Sequence, residues 1–439
     1  MYRKLANLVV FRNIAPNSIL FCLADLIREF DSGTYVKEDL TAAIYTQIHR
    51  LLDVATVYGF DKNLWHNYLA YLLATTENPF SLSCEKKGAR DGSVNLLVRN
   101  DFRIFKELFD YDFTPLEQAL EIDCFSIISN YRALPKEQKK YNHNVSQQVR
   151  MLSDALAAAE DTEEVFKVVT GFYRDHGVGM FGLNKVFRIR QPADKLELEP
   201  ITNIVEVRLS DLIGYETQKQ MLRENTEAFL QGHRANNLLL YGDSGTGKST
   251  CIKAILNEYH SSGLRIIEFY KHQMQDLATV ISMIKNRNYR FIIFMDDLSF
   301  EDFETEYKYL KAVIEGGLEI TPDNVLIYAT SNRRHLIRET WSDRSDTTRD
   351  GDDIHHSDTA EEKMSLVNRF GVTIRFGKPN QQEYLEIVKG IARRYPEIKL
   401  PENILMEEAR KWGMWHGNIS GRRAQQFINH LLGTMDDSE

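Results

Sequence analysis

The chain has 439 residues, of which 43% are hydrophobic and 27% charged, and its net charge is −9. That composition excludes collagenous, coiled-coil and wholly disordered classes, and the length allows two or three domains. The charge balance speaks against a constitutive basic nucleic-acid binder. Residues 341–362 carry −6 of the −9, through Asp343, Asp346, Asp350, Asp352, Asp353, Asp358, Glu361 and Glu362 against Arg344 and Arg349. The rest of the chain is nearly neutral, so a local basic surface is still possible.

Residues 1–176 read as a helical domain. Ser18 is placed to cap a helix over 19–30, with Leu23, Leu26, Ile27 and Phe30 on one face. After Asp39, Leu40, Ile44, Ile48, Leu51 and Leu52 recur at helical spacing up to Gly59, a stop signal. Thr114-Pro115-Leu116-Glu117 has the form of a capping box, and further helices fit 145–159 and 162–175. None of them carries a catalytic constellation. Four widely spaced cysteines (Cys22, Cys84, Cys124, Cys251) fit a reducing compartment without a zinc or redox signature. No apolar run approaches the roughly 20 residues of a membrane span, so the expected address is cytoplasmic and no membrane partner is expected.

Gly177-Val178-Gly179-Met180-Phe181-Gly182 matches GxGxxG formally. It follows a helical pattern instead of a strand, so the dinucleotide reading lacks its context and a glycine-rich connector is expected. Residues 177–202 are therefore read as a linker. From about residue 203 short apolar runs alternate with amphipathic helices. Strands are predicted at 237–241, 265–269, 290–295, 324–330 and 373–376, and helices at 217–231, 248–259, 276–286 and 305–315. Alternation of this kind predicts an α/β fold, a parallel sheet wrapped by helices over 203–379. Residues 380–439 return to helix, and 341–362 read as a mobile acidic insertion. His355 and His356 within it fit a solvated loop better than a metal site.

Gly242-Asp243-Ser244-Gly245-Thr246-Gly247-Lys248-Ser249 is a complete GxxxxGK[ST] P-loop, with Thr250 next in the helix it opens. It directly follows the apolar run Leu238-Leu239-Leu240-Tyr241, the context that a phosphate cradle requires. Its glycines let backbone N–H groups converge on phosphate oxygens, and the helix N-terminus adds partial positive charge. Lys248 is expected to reach the β- and γ-phosphates of ATP, and Ser249 to ligate Mg²⁺. The apolar run 291–295 ends in Asp296-Asp297. Asp296 is assigned to the metal and Asp297 to orienting the attacking water. A third run, 324–330, leads into Ser331-Asn332-Arg333-Arg334.

A P-loop, an acid-pair strand and a strand ending in Thr-Ser-Asn resemble, in that order, the AAA+ ATPases. The resemblance implies that Asn332, with Thr330 second, is the polar sensor beside the γ-phosphate. Ser365-Leu366-Val367-Asn368-Arg369-Phe370-Gly371 resembles the segment bearing the arginine finger, which would carry Arg369 into a neighbour's ATP. Ser420-Gly421-Arg422-Arg423 resembles the lid arginine motif, with Arg422 preferred over Arg423. Asp211-Leu212-Ile213-Gly214-Tyr215 resembles the segment that packs on adenine, with apolar contact from Ile213 and Tyr215 and close backbone approach at Gly214. The segments 296–300, 310–317 and 328–336 are similar to a mostly bacterial AAA+ family known as a domain of unknown function. That likeness runs from about residue 170 to the end. Asp297 departs from many AAA+ proteins, where glutamate is commoner, although an Asp-Asp pair also occurs in bacterial replication initiators. The resemblance implies an oligomeric Mg²⁺-ATPase acting on a protein or DNA target that the sequence does not identify. A DNA-associated loader or initiator-like role competes with protein remodelling. Arg333, Arg334, His335 and Arg338 form a basic cluster that could touch phosphate but fits a subunit interface better, and no helix-turn-helix, aromatic-rich basic surface or clear aromatic pore loop is visible. A single-chain P-loop phosphotransferase and a scaffold that binds ATP without turning it over are the competing classes.

Overall fold

The computed structural model of the chain describes all residues except 134–142, 193–194, 302–303, 316–321, 333–335, 337–365, 418 and 436–439. The acidic insertion, the His355-His356 pair and the basic cluster at 333, 334, 335 and 338 lie outside the described residues. The chain divides into two compact units, one of Met1–Lys185 with Pro200–Ile204 and the other of Val186–Glu199 with Val205–Glu439.

The first unit is helical. Ser18 caps Ile19–Ser32 by accepting from the Phe21 amide, and Gly59, at φ 64°, ends Lys37–Tyr58 in the left-handed conformation that glycine tolerates. Helix Val94–Phe109 buries Val98, Phe102, Phe105 and Leu108 on one face. Its buried Asp101 accepts from the amides of Val9, Val10 and Phe11, which anchors the N-terminal segment. The capping box expected at Thr114 does not form. Phe113 stands at the cap position of Thr114–Leu120, and the Glu117 carboxylate turns to the Ser126 amide and hydroxyl at 2.8 and 2.5 Å. A short-range motif loses here to a tertiary partner that satisfies the buried acid.

The second unit is built on a seven-stranded sheet of order β2-β1-β4-β5-β6-β3-β7. The strands are β1 (Val186–Arg190), β2 (Glu197–Ile201), β3 (Leu238–Gly242), β4 (Leu264–Glu268), β5 (Arg290–Met295), β6 (Val325–Ser331) and β7 (Val372–Phe376). From β1 through β7 in that order each neighbouring pair is parallel. Helices Glu216–Leu230, Lys248–Tyr259, Leu277–Ile284 and Tyr307–Glu315 alternate with the strands, as a parallel sheet requires. Phe291 to Met295 are all buried, because a central strand of such a sheet is covered on both faces. Each of these side chains contributes roughly 1.5–3 kcal/mol.

One expectation needs correction. Residues 177–202, read as a linker, hold the short helix Gly179–Leu183 and strands β1 and β2. The sheet therefore begins at Val186 and not near residue 203. Val186, Phe187 and Ile189 are buried while Arg188 and Arg190 face outward, held by Glu199 at 2.7 and 2.9 Å. Five residues of alternation beside a proline-bounded stretch are too short a pattern to separate from a loop.

After β7 come helices Gln381–Ala392, Glu402–Trp415 and Gly421–Met435. They share a small core of Tyr384, Ile387, Val388, Ile391, Leu405, Ala409, Ala424, Phe427 and Ile428. Asn380 and Glu383 make a full capping box at its first helix. Among the described residues no helix is long and apolar enough to cross a membrane.

Candidate nucleotide site

β3 delivers the chain to the P-loop, and three glycines shape it. Gly242, Gly245 and Gly247 have φ of 134°, 78° and 95°, conformations that L side chains avoid. Space reinforces the requirement at two of them. A Cβ on Gly242 would lie 2.1 Å from the Phe376 carbonyl oxygen, and one on Gly247 2.7 Å from the Leu212 side chain. Behind the loop the Asp243 amide donates to the Phe376 carbonyl at 3.0 Å, and the Asp243 carboxylate accepts from the Lys378 amide at 3.1 Å. Gly242 and Asp243 thus fix the loop to the end of β7 and do not line the cavity.

Lys248 opens helix Lys248–Tyr259. Its ammonium donates to the carbonyls of Gly242 and Asp243 at 2.8 and 2.7 Å and to Asn332 Oδ1 at 3.0 Å. Burial holds its pKa below the ordinary lysine value, against the opposing pull of Asp297, Asp243 and Asp296. The acid pair at the end of β5 faces it. Asp296 Oδ1 accepts from Ser249 Oγ at 2.5 Å and from Thr330 Oγ1 at 2.6 Å. The Asp297 amide donates to Thr330 Oγ1 at 2.9 Å, and Asn332 Nδ2 donates to Asp297 Oδ1 at 2.6 Å. Asp297 sits at φ 51°, a left-handed turn that Asp tolerates better than most residues, and this turn brings its carboxylate to Asn332.

These groups line a cavity of about 700 Å³. Ser244, Gly245, Thr246, Gly247, Lys248, Ser249 and Thr250 line it together with Asp296, Asp297, Thr330 and Asn332. Ile213 and Tyr215 line it too. Gly214 and Tyr215 are both left-handed, at φ 79° and 61°, and this tight turn starts helix Glu216–Leu230. The strained Tyr215 is fixed by its hydroxyl on the Gly377 carbonyl at 2.8 Å and by its ring 5.2 Å from that of Phe376. Burial pushes the Tyr215 phenol up to about 12. Gly214 itself does not reach the lining.

The C-terminal helices close the cavity. Arg422 lines it, and its amide donates to the Gly245 carbonyl at 3.2 Å. Ser420 caps the same turn by accepting from the Arg423 amide, whereas the Arg423 guanidinium turns to Gln426. Ile387, Ile391, Arg394 and Gln425, which no sequence motif singles out, also line the cavity. Gln425 stands one helical turn after Arg422, and that spacing was the available signal. Ile387 and Ile391 are indistinguishable in sequence from core residues. Arg369 is outside the cavity of its own chain and forms an ion pair with Glu315.

The donor set suits a hard cation held partly by phosphate. Ser249 Oγ and Asp296 Oδ1 share one edge of the cavity, and both are oxygen ligands of the kind Mg²⁺ takes. Among the described residues no group of three or more His, Cys, Asp or Glu gathers as a self-sufficient metal cage. Two carboxylates, a hydroxyl, a buried ammonium and a glycine-rich cradle can together bind a nucleoside triphosphate and direct water onto it.

Among curated proteins, the chain is 25% identical over 253 residues, 53% of its length, to a protein of Methanocaldococcus jannaschii described as a 26S proteasome regulatory subunit homolog. It is 25% identical over 185 residues, 38% of its length, to the human ATPase family gene 2 protein homolog A. It spans 59% of the archaeal protein and 18% of the human one. Among solved structures, the Thermotoga maritima RuvB Holliday junction branch migration motor aligns over 51% of this chain and 72% of its own. The sequence identity there is 16% and the TM-score 0.32. Motif order, the parallel sheet and the two curated relatives make the second unit an AAA+ P-loop core. The family described as "Protein of unknown function (DUF815)" matches residues 183–435, more than half of the chain, and the chain belongs to that family.

Proposed function

We propose that the chain is a Mg²⁺-dependent ATPase that works as an oligomeric switch or remodelling enzyme, with each site completed by a neighbouring subunit. The observation that carries this reading is Asn332, which bridges Lys248 and Asp297 inside a cavity that Arg422 closes. P-loop amides enclose the phosphates, and Lys248 exchanges carbonyl partners for β- and γ-phosphate oxygens. Ser249 and Asp296 would hold Mg²⁺, which when bound neutralises charge on the phosphates. Asp297 and Asn332 orient a water on the γ-phosphorus. The water oxygen bonds to phosphorus, the bond to the bridging oxygen breaks, and Asp297 takes the proton, leaving ADP and phosphate. Arg369, which does not line its own cavity and pairs with Glu315, is supplied to the neighbour's transferred phosphoryl group on exchanging that partner.

The test is Mg²⁺-dependent phosphate release measured across protein concentrations, wild type beside Arg369→Ala. Specific activity should rise with concentration and vanish in the variant while ATP binding persists. Activity independent of concentration and unaffected by Arg369→Ala would favour a self-contained phosphotransferase.

A further inference from the structure

Lys219 is a charged residue that the site chemistry does not use, yet it is only 5% exposed. It lies in the first turn of helix Glu216–Leu230, where a positive charge opposes the helix dipole. Its ammonium has three donors and finds three acceptors: the Leu212 carbonyl at 2.7 Å, the Glu216 carboxylate at 2.6 Å and the Leu209 carbonyl at 3.4 Å. Two of these are main-chain oxygens of one segment, Leu209 to Leu212; the Leu209 carbonyl also accepts from the Leu212 amide at 3.2 Å, so the closer Leu212 carbonyl is the one the ammonium chiefly serves.

That segment contributes to the cavity wall. Asp211, Leu212, Ile213 and Tyr215 line the cavity, and Leu212 presses on Gly247 of the P-loop. Other clasps hold the same strap: the Leu209 amide donates to Glu258 at 2.8 Å, and Arg394 donates to the Asp211 carbonyl at 2.5 Å. Lys219 is the clasp on the buried side and sits behind the wall without lining the cavity.

We infer that Lys219 is a positioning residue for the nucleoside half of the site, setting the strap against which base and ribose bind more than the phosphate cradle that Leu212 adjoins. The inference rests on the nucleotide reading above. Lys219→Met keeps the stem and removes the ammonium, so the Leu212 carbonyl loses its 2.7 Å donor and the Leu209 carbonyl keeps the Leu212 amide.

The test compares the affinities of ATP and inorganic tripolyphosphate, both with Mg²⁺, by competition against a labelled ATP. Tripolyphosphate engages the P-loop without touching the strap. In Lys219→Met the ATP affinity should fall roughly ten- to hundredfold while tripolyphosphate stays within about twofold of wild type. Lys219→Arg keeps the charge but cannot aim its planar donors at the same three oxygens, and should lower the ATP-to-tripolyphosphate ratio several-fold. If Lys219→Met does not fold, that ratio in Lys219→Arg decides. Equal losses for both ligands would reduce Lys219 to a general structural role, and unchanged ATP affinity would also overturn the inference. Failure of wild type to bind ATP would overturn the nucleotide reading itself, and the inference with it.

Discussion

The Lys248 ammonium and the Asn332 amide oxygen lie 3.0 Å apart, and the amide nitrogen of the same Asn332 lies 2.6 Å from Asp297. One side chain therefore joins the phosphate-binding cation to the carboxylate assigned to the water. Asn332→Ala should leave ATP affinity within a few-fold of wild type and lower the hydrolysis rate about 100-fold, since it removes a donor aimed at the reacting group. Asn332→Asp should do no better, because it places a second negative charge against Asp297. Single-turnover phosphate release beside equilibrium ATP binding separates the two effects.

Thr330 serves both acids at once, donating to Asp296 and accepting from the Asp297 amide. It is 1% exposed, so Thr330→Val keeps the shape and removes both bonds. Stability should drop by about 1 kcal/mol, and the Mg²⁺ concentration for half-maximal activity should rise. Urea unfolding and a Mg²⁺ titration read these separately. A variant with wild-type Mg²⁺ demand would show that Asp296 needs no help from Thr330.

These relationships mark what sequence could and could not reveal. The P-loop and the Asp296-Asp297 pair were legible because their chemistry is local: consecutive residues fix both conformation and ligands. Asn332 was legible only through the order of three strands, because its partners Lys248 and Asp297 are distant in the chain. Ile387, Ile391 and Arg394 were not legible, since nothing in a helical repeat says which apolar pair faces a cavity. Strand β1 was missed for a different reason. Its alternation lasts five residues, and its pairing with β4 is decided by the sheet and not by its own sequence.

Arg369 and the P-loop belong, in the proposed assembly, to different copies at each site. Lys248→Ala keeps the arginine and loses the cradle, while Arg369→Ala does the reverse. Each should be inactive by itself, and an equimolar mixture should recover a measurable part of wild-type turnover, up to about a quarter with random pairing. Phosphate release from the mixture checks this. A mixture as inactive as its components, with both variants still assembling, would place Arg369 outside the neighbour's site.

Lys248 makes the site pH-dependent with a definite sign. Burial lowers its pKa from the ordinary 10.5, so in the unliganded protein it loses its proton at a lower pH than an exposed lysine. The folded state then holds fewer protons than the unfolded chain between the two values, and stability rises with pH through that window as the penalty of the buried charge is relieved. Binding has the opposite sign. Phosphate oxygens favour the ammonium and raise its pKa, so on the alkaline side ATP binding draws in a proton and weakens as pH increases. Calorimetry in two buffers of different ionisation enthalpy should record proton uptake that appears below the ordinary lysine range. Lys248→Arg, charged throughout, should abolish that uptake even if its affinity is reduced. Uptake that persists in Lys248→Arg would assign the proton to another group in the cavity.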